Sequence, residues 1–187
     1  METHVTKKLF TVDEYYKMVD VGILHDGDRT ELIEGEIIEM SAMGSRHAAV
    51  VTRLTDLLVP LFKGKALLRP QLPLRLNDFN EPQPDVALLT PRKDCYASQH
   101  PGPADVFLVV EVADSSLKYD RDIKLRIYSQ AGVPEVWIAD ILGGVVRVYR
   151  DPSGNSFTTS LSFQRGESIY CLSFPQVQLH VDEILGL

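Results

Sequence analysis

The chain has 187 residues, 44% apolar and 24% charged, which fits one globular domain with a core of its own and excludes a disordered or fibrous chain. No apolar run reaches the ~18 residues of a membrane span, and the opening METHVTKKLFTVDEYY lacks the continuous apolar stretch of a secretory signal. The net charge of −7 argues against strong non-specific affinity for nucleic acid. Cys95 and Cys171 form no CxxC, so a reduced cytoplasmic protein is expected, with a disulfide between them left open.

Charge is unevenly spread. Residues 1–43 hold four Lys/Arg against ten Asp/Glu, whereas residues 44–75 hold six (Arg46, Arg53, Lys63, Lys65, Arg69, Arg75) against Asp56 alone. The basic segment reads either as a solvated helix face or as a basic flank beside an acidic site, suited to a polyanion.

In chain order, Thr11 and Glu14 form a capping box that predicts a short helix to about Met18 or Val19. In 31-ELIEGEIIEM-40, Glu34-Gly35 separates two apolar stretches, which predicts a hairpin with Gly35 at positive φ. Ser45 is placed to cap a second helix whose apolar residues, Val50 to Leu61, recur at helical spacing. From Ala66 the period becomes two; Leu68, Leu72, Leu74 and Leu76 alternate with polar residues and prolines, as on an edge strand. Asp85–Leu89 and Val106–Val112 are short and nearly continuous in apolar character, like strands buried on both faces. Ser116 opens a third helix with Tyr119, Ile123, Ile127 and Tyr128 turned inward, stopped by Gly132 and Pro134. The segments 135-EVWIAD-140 and 145-VVRVYR-150 read as a second hairpin, whose Trp137, Val146 and Val148 serve either an interface or the core. Two weaker strands and a short helix near Asp182–Leu185 complete the order α-β-β-α-β-β-β-α-β-β-β-β-α. Helices interrupt the strands, so the expected fold is α/β in the broad sense: one mixed sheet with helices packed on it.

Two carboxylates stand where strands should bury Val and Leu. Asp85 follows a proline and opens one strand, and Glu111 breaks the other. If the strands pair, both acids lie near one end of the sheet, where they repel each other. A hard divalent cation, Mg²⁺ or Mn²⁺, neutralises such a pair, and the main-chain carbonyl of Val112 offers a third oxygen. The alternative is two strand-end acids that reach water or an arginine. Lys124 adjoins the inward face of the third helix and can point toward Glu111, either to hold a phosphate oxygen or water or to snorkel over apolar surface.

Four segments, 31-ELIEGEIIEM-40, 82-PQPDVALL-89, 109-VVEVADSS-116 and 124-KLRIYSQAGVPEVWIAD-140, resemble the Uma2 family over essentially the whole chain, about residues 10–187. That family is similar in fold to restriction endonucleases of the PD-(D/E)xK type. The resemblance implies a single domain with an αβββαβ core, additional β-hairpins and a divalent-metal site. By position, Pro84-Asp85 matches the "PD" and Glu111 the second acid. Ala113 stands where the simplest pattern has its lysine, and Lys124 matches a lysine on the following helix that serves instead. Glu31 matches an extra acid at the site, and His47 a recurring "RH" beside Arg46 at the start of the second helix. The resemblance implies an endonuclease that hydrolyses phosphodiester bonds in DNA with Mg²⁺ or Mn²⁺. On it, Asp85 and Glu111 hold the metal, Lys124 and Glu31 assist, and Arg46, His47 and Arg53 are open to substrate. It also implies a homodimer. Two other functions stay open: a catalytically silent nucleic-acid or protein binding module, and a hydrolase of small phosphoesters.

Overall fold

The computed structural model describes residues 6–25 and 27–186. Helix α1, Val12–Asp20, starts at the expected capping box: the Glu14 amide donates to Thr11 Oγ1 at 3.2 Å, and the Thr11 amide donates to the Glu14 carboxylate at 2.9 Å. Strands β1, Thr30–Ile33, and β2, Glu36–Glu39, form the first hairpin. Both turn residues take positive φ, Glu34 at 51° and Gly35 at 75°. A Cβ on Gly35 would lie 2.7 Å from Leu9 Cβ, so no larger residue fits there.

Helix α2, Ser45–Phe62, begins one residue earlier than expected. Gly44 is its N-cap and Ser45 is already helical, so the serine hydroxyl caps nothing. The long edge strand contracts to β3, Leu67–Pro70. Pro70, Gln71 at φ 51° and Pro73 end the extended run, yet Leu74 and Leu76 remain buried. Strands β4, Val86–Leu89, and β5, Val106–Ala113, are buried along nearly their whole length.

The third helix is not continuous. It runs as α3, Leu117–Tyr119, a π turn over Asp120–Lys124, and α4, Leu125–Gln130. Then come β6 (Glu135–Asp140), β7 (Val145–Ser153), β8 (Ser156–Phe163), β9 (Ser168–Cys171), β10 (Phe174–His180) and α5 (Val181–Leu185). The C-terminal part therefore has one strand more than its pattern suggested. Trp137, Val146 and Val148 are wholly buried in the core and offer nothing to an interface.

The expected single sheet is divided. A six-stranded mixed sheet has the order β3-β4-β5-β6-β7-β8, and β1-β2 and β9-β10 are separate two-stranded sheets. The β1-β2 hairpin meets the rest through the Leu32–Glu81 bridge. Among the described residues, only β5 and β6 pair in parallel, as a crossover through α3–α4 requires. The run α2-β3-β4-β5-α3/α4-β6 is the αβββαβ core of a restriction endonuclease-like fold.

Alternation along β5 sorts its side chains. Leu108, Val110 and Val112 join a core with Val50, Leu54 and Leu58 of α2, while Val109 and Ala113 join one with Leu125, Ile127 and Tyr128 of α4. Glu111 shares the second face. Cys95 is exposed, Cys171 is buried, and both are free. Burial pushes the Cys171 thiol up to about 12. Among the described residues, no helix is long and apolar enough to cross a membrane.

Candidate active site

The pairing of β4 with β5 places Val86 opposite Val110, so Asp85, one residue outward, stands opposite Glu111 at the end of the ladder. The site is built on this point. A cleft of about 540 Å³ opens there, lined by Glu31, His47, Asp85, Glu111, Tyr119, Asp120 and Lys124 among others.

Glu31, on β1, and Glu111 are each 3% exposed and Lys124 is 6% exposed, so all three charges are almost out of water. The Lys124 ammonium lies 3.2 Å from Glu31 Oε2 and 3.3 Å from Glu111 Oε1. Burial alone would depress Lys124, but the Glu111 and Glu31 carboxylates outweigh it and hold the lysine well above its usual range. Burial pushes Glu111 up to about 8, with Asp120 and Asp85 adding to the rise against the pull of Lys124. Tyr128 donates to Glu111 Oε1 at 2.6 Å.

Asp85 is held from three sides. His47 Nε2 lies 2.7 Å from Oδ1, Gln71 donates to the same oxygen at 3.3 Å, and the Val112 amide donates to Oδ2 at 2.8 Å. The hydrogen bond to Asp85 raises His47 above the usual histidine value. Val112 thus meets Asp85 through its N–H. Glu31 Oε2 also accepts from the Gln83 amide at 3.1 Å.

Sequence reasoning missed Asp120 and Tyr128. Asp120 is 4% exposed and accepts from Ser116 Oγ at 2.6 Å; burial raises its carboxyl. A signal existed, because Asp120, Lys124 and Tyr128 are spaced four apart and so share a helix face. The π turn could not be read from the sequence. It puts the irregular turn on the segment bearing Asp120 and Lys124, and π turns are frequent at functional sites.

The basic residues divide. Arg46 is exposed and lies 3.4 Å from Asp114, a cleft residue, so it stands at the rim. Arg53 donates to the Leu185 carbonyl at 3.3 Å and serves the end of α5 instead of the cleft. Lys63 and Lys65 are exposed beyond the end of α2.

Among the described residues, no three His, Cys, Asp or Glu side chains converge as a closed metal centre would. The chemistry of the donors still fits a hard cation. Glu135 gives the contrast: its oxygens take bonds from Trp137, Arg150 and the Leu172 amide, and it works as a structural acid. In the cleft, Glu111 Oε2, Glu31 Oε1 and Asp120 Oδ1 accept nothing from the described residues. Four carboxyl groups gather around one ammonium, and oxygen is the only free donor type on those acids, the type a hard cation takes.

The fold and the family have independent support. The crystal structure of a "putative nuclease" from Anabaena variabilis superposes with a TM-score of 0.72 over 95% of this chain and 98% of that one, at 18% identity, so the likeness is one of fold. No curated protein matches. The family model described as "Putative restriction endonuclease" matches residues 12–182, nearly the whole chain and every acid of the cleft, and the chain therefore belongs to the Uma2 family.

Proposed function

We propose that the chain is a metal-dependent endonuclease that hydrolyses phosphodiester bonds in DNA. The observation that carries this reading is the buried Lys124 between Glu31 and Glu111, with Asp85 and Asp120 at the same cleft. Glu111, through its free Oε2, and Asp85, with Gln71 displaced from Oδ1, would hold Mg²⁺ or Mn²⁺ together with the Val112 carbonyl. When bound, the ion supplies Lewis acidity toward a phosphate oxygen and a water. Lys124 stabilises negative charge growing on the phosphate, in a water-poor site where such an interaction is strong. Glu31 and Tyr128 keep that machinery in place, Glu31 through Lys124 and Tyr128 through Glu111. His47 and the Val112 amide fix the direction of Asp85.

Single- and double-stranded DNA incubated with Mg²⁺, with Mn²⁺ and with EDTA test the reading. Cleavage in the first two and none in EDTA is expected. Binding without cleavage under every condition would move the assignment to the silent binding module.

A second expectation concerns the basic flank. Arg46, Lys63 and Lys65 are exposed and are expected to meet phosphates. Reversing all three to Glu should weaken DNA binding and lower the salt slope by about one for each phosphate no longer neutralised. Unchanged affinity would make the segment a solvated surface. Arg53 is left out of this set because its reversal would disturb α5.

A further inference from the structure

Among the described residues, Arg29 is the one arginine that lines the cleft, and it holds no carboxylate. Elsewhere arginines are taken by acids. Arg92, Arg126, Arg147 and Arg150 each lie within 3.0 Å of one. Arg29 has acids close by on both sides, in 28-DRTE-31, and bonds neither. Asp28 accepts from the His25 amide at 2.8 Å, and Glu31 is engaged by Lys124 and the Gln83 amide. The only bond from the Arg29 side chain to the described residues runs from Nη1 to the Ser41 carbonyl at 3.3 Å. The guanidinium is exposed, so most of its N–H donors are left for a ligand.

The backbone fixes where this charge stands. The Met40 amide donates to the Arg29 carbonyl at 2.7 Å, which carries the β1–β2 pairing one residue beyond Thr30–Glu39. Alternation then puts Arg29 and Glu31 on one face, at the cleft, with Thr30 turned to Tyr15 on the other. Two residues of extended chain set their Cα atoms about 7 Å apart, close to one nucleotide step along a phosphodiester backbone. Glu31 carries the Lys124 ammonium at 3.2 Å. A phosphate at that ammonium therefore has its neighbour in the chain within reach of Arg29. The planar fork of an arginine takes a phosphate through two parallel N–H bonds.

We infer that Arg29 holds the phosphate next to the one at Lys124, and that the substrate is a chain with consecutive phosphodiesters and not a lone phosphoester. The inference rests on the reading of the cleft as a phosphodiester site.

Arg29→Gln and Arg29→Lys, compared with the parent in two assays, test it. The first is binding of short single- and double-stranded DNA in EDTA over a range of salt, where cleavage does not enter. Arg29→Gln should bind about tenfold more weakly, and its salt slope should fall by about one, whereas Arg29→Lys should keep the slope. The second is hydrolysis, with Mg²⁺, of DNA and of bis-para-nitrophenyl phosphate, a diester with a single phosphate. The loss of kcat/KM in Arg29→Gln should be several-fold larger on DNA. Unchanged affinity and slope in EDTA overturn the inference and leave the nuclease reading in place. Equal losses on both substrates, with a lower melting temperature, overturn it too, by making Arg29 a brace for the backbone at Ser41. A parent that binds DNA but cleaves neither substrate removes the nuclease reading alone, and the binding assay still decides on Arg29. A parent that binds no DNA removes both.

Discussion

Lys124→Met should lower the cleavage rate by about a hundredfold or more, the usual cost of losing one electrostatic stabiliser at a reacting phosphate. It should also weaken the fold. Among the described residues, the ammonium is the only positive charge between Glu31 and Glu111, at 3.2 and 3.3 Å, and all three groups are nearly out of water. Removing one member of a buried pair strands the other, at a cost of about 3–5 kcal/mol. Two features reduce that cost. Glu111 already binds a proton up to about pH 8, and Tyr128 still donates to it. The stability loss should therefore be largest above pH 8 and shrink on acidification. Adding Glu31→Gln should recover much of the stability and none of the rate. That combination separates a lysine that acts on substrate from one that only neutralises the core. Full activity in Lys124→Met would sink the assignment. The lysine cannot simply be returned to position 113. Ala113 is 1% exposed and packed among apolar residues on the same face as Glu111, so Ala113→Lys would bury a second ammonium there.

The parts of this fold that were legible in the sequence were those written in local chemistry. Thr11 and Glu14 mark a helix start because each satisfies the other's orphan amide. Glu34-Gly35 marks a hairpin because few residue pairs tolerate two positive φ angles. The buried strands β4 and β5 stood out by their apolar continuity, and the acids that interrupt them pointed to the site. What failed was set at longer range. The division into three sheets depends on how hairpins dock, and no period in β1-β2 or β9-β10 states it. Arg53 read as a free basic residue, because its tie to the Leu185 carbonyl spans 132 positions of sequence. The same holds for the pairing of His47 with Asp85, 38 positions apart. Asp120 is the instructive miss. Its spacing from Lys124 and Tyr128 put it on their helix face and set it apart from Asp122, but spacing alone does not say that a carboxyl is buried there. In the fold Asp120 lies inside and Asp122 outside.

The metal-free protein should melt at a higher temperature near pH 5 than near pH 8.5, the reverse of a protein whose acids are simply ion-paired. Glu111 has an ordinary value of 4.5 and is pushed up to about 8 in the fold, first by burial. Between those two values the folded chain keeps a proton that the unfolded chain has released. Stability therefore falls as pH rises through this window. His47 and Asp120 are also raised in the fold, and a group raised in the fold stabilises at lower pH, so both act in the same direction. Lys124 stays protonated in both states across the window and contributes no slope there. A tenfold difference in proton affinity between the folded and unfolded chain is worth about 1.4 kcal/mol, so Glu111 alone sets an upper bound of roughly 5 kcal/mol. Solvent and relaxation reduce that to a few kcal/mol, or about 5–10 °C for a chain of this length. Glu111→Gln should flatten most of the dependence and be no less stable than the parent at pH 8.5. The amide oxygen still accepts from Tyr128, and Lys124 still has Glu31. Saturating Mg²⁺ should erase the slope as well, because a cation at the cleft favours the ionised acid and binds only the folded chain. Melting temperatures recorded from pH 5 to 9 for both proteins, each with EDTA and with Mg²⁺, decide the matter. A flat profile for the metal-free parent would mean that Glu111 is ionised throughout, with Lys124 alone sufficient to hold it.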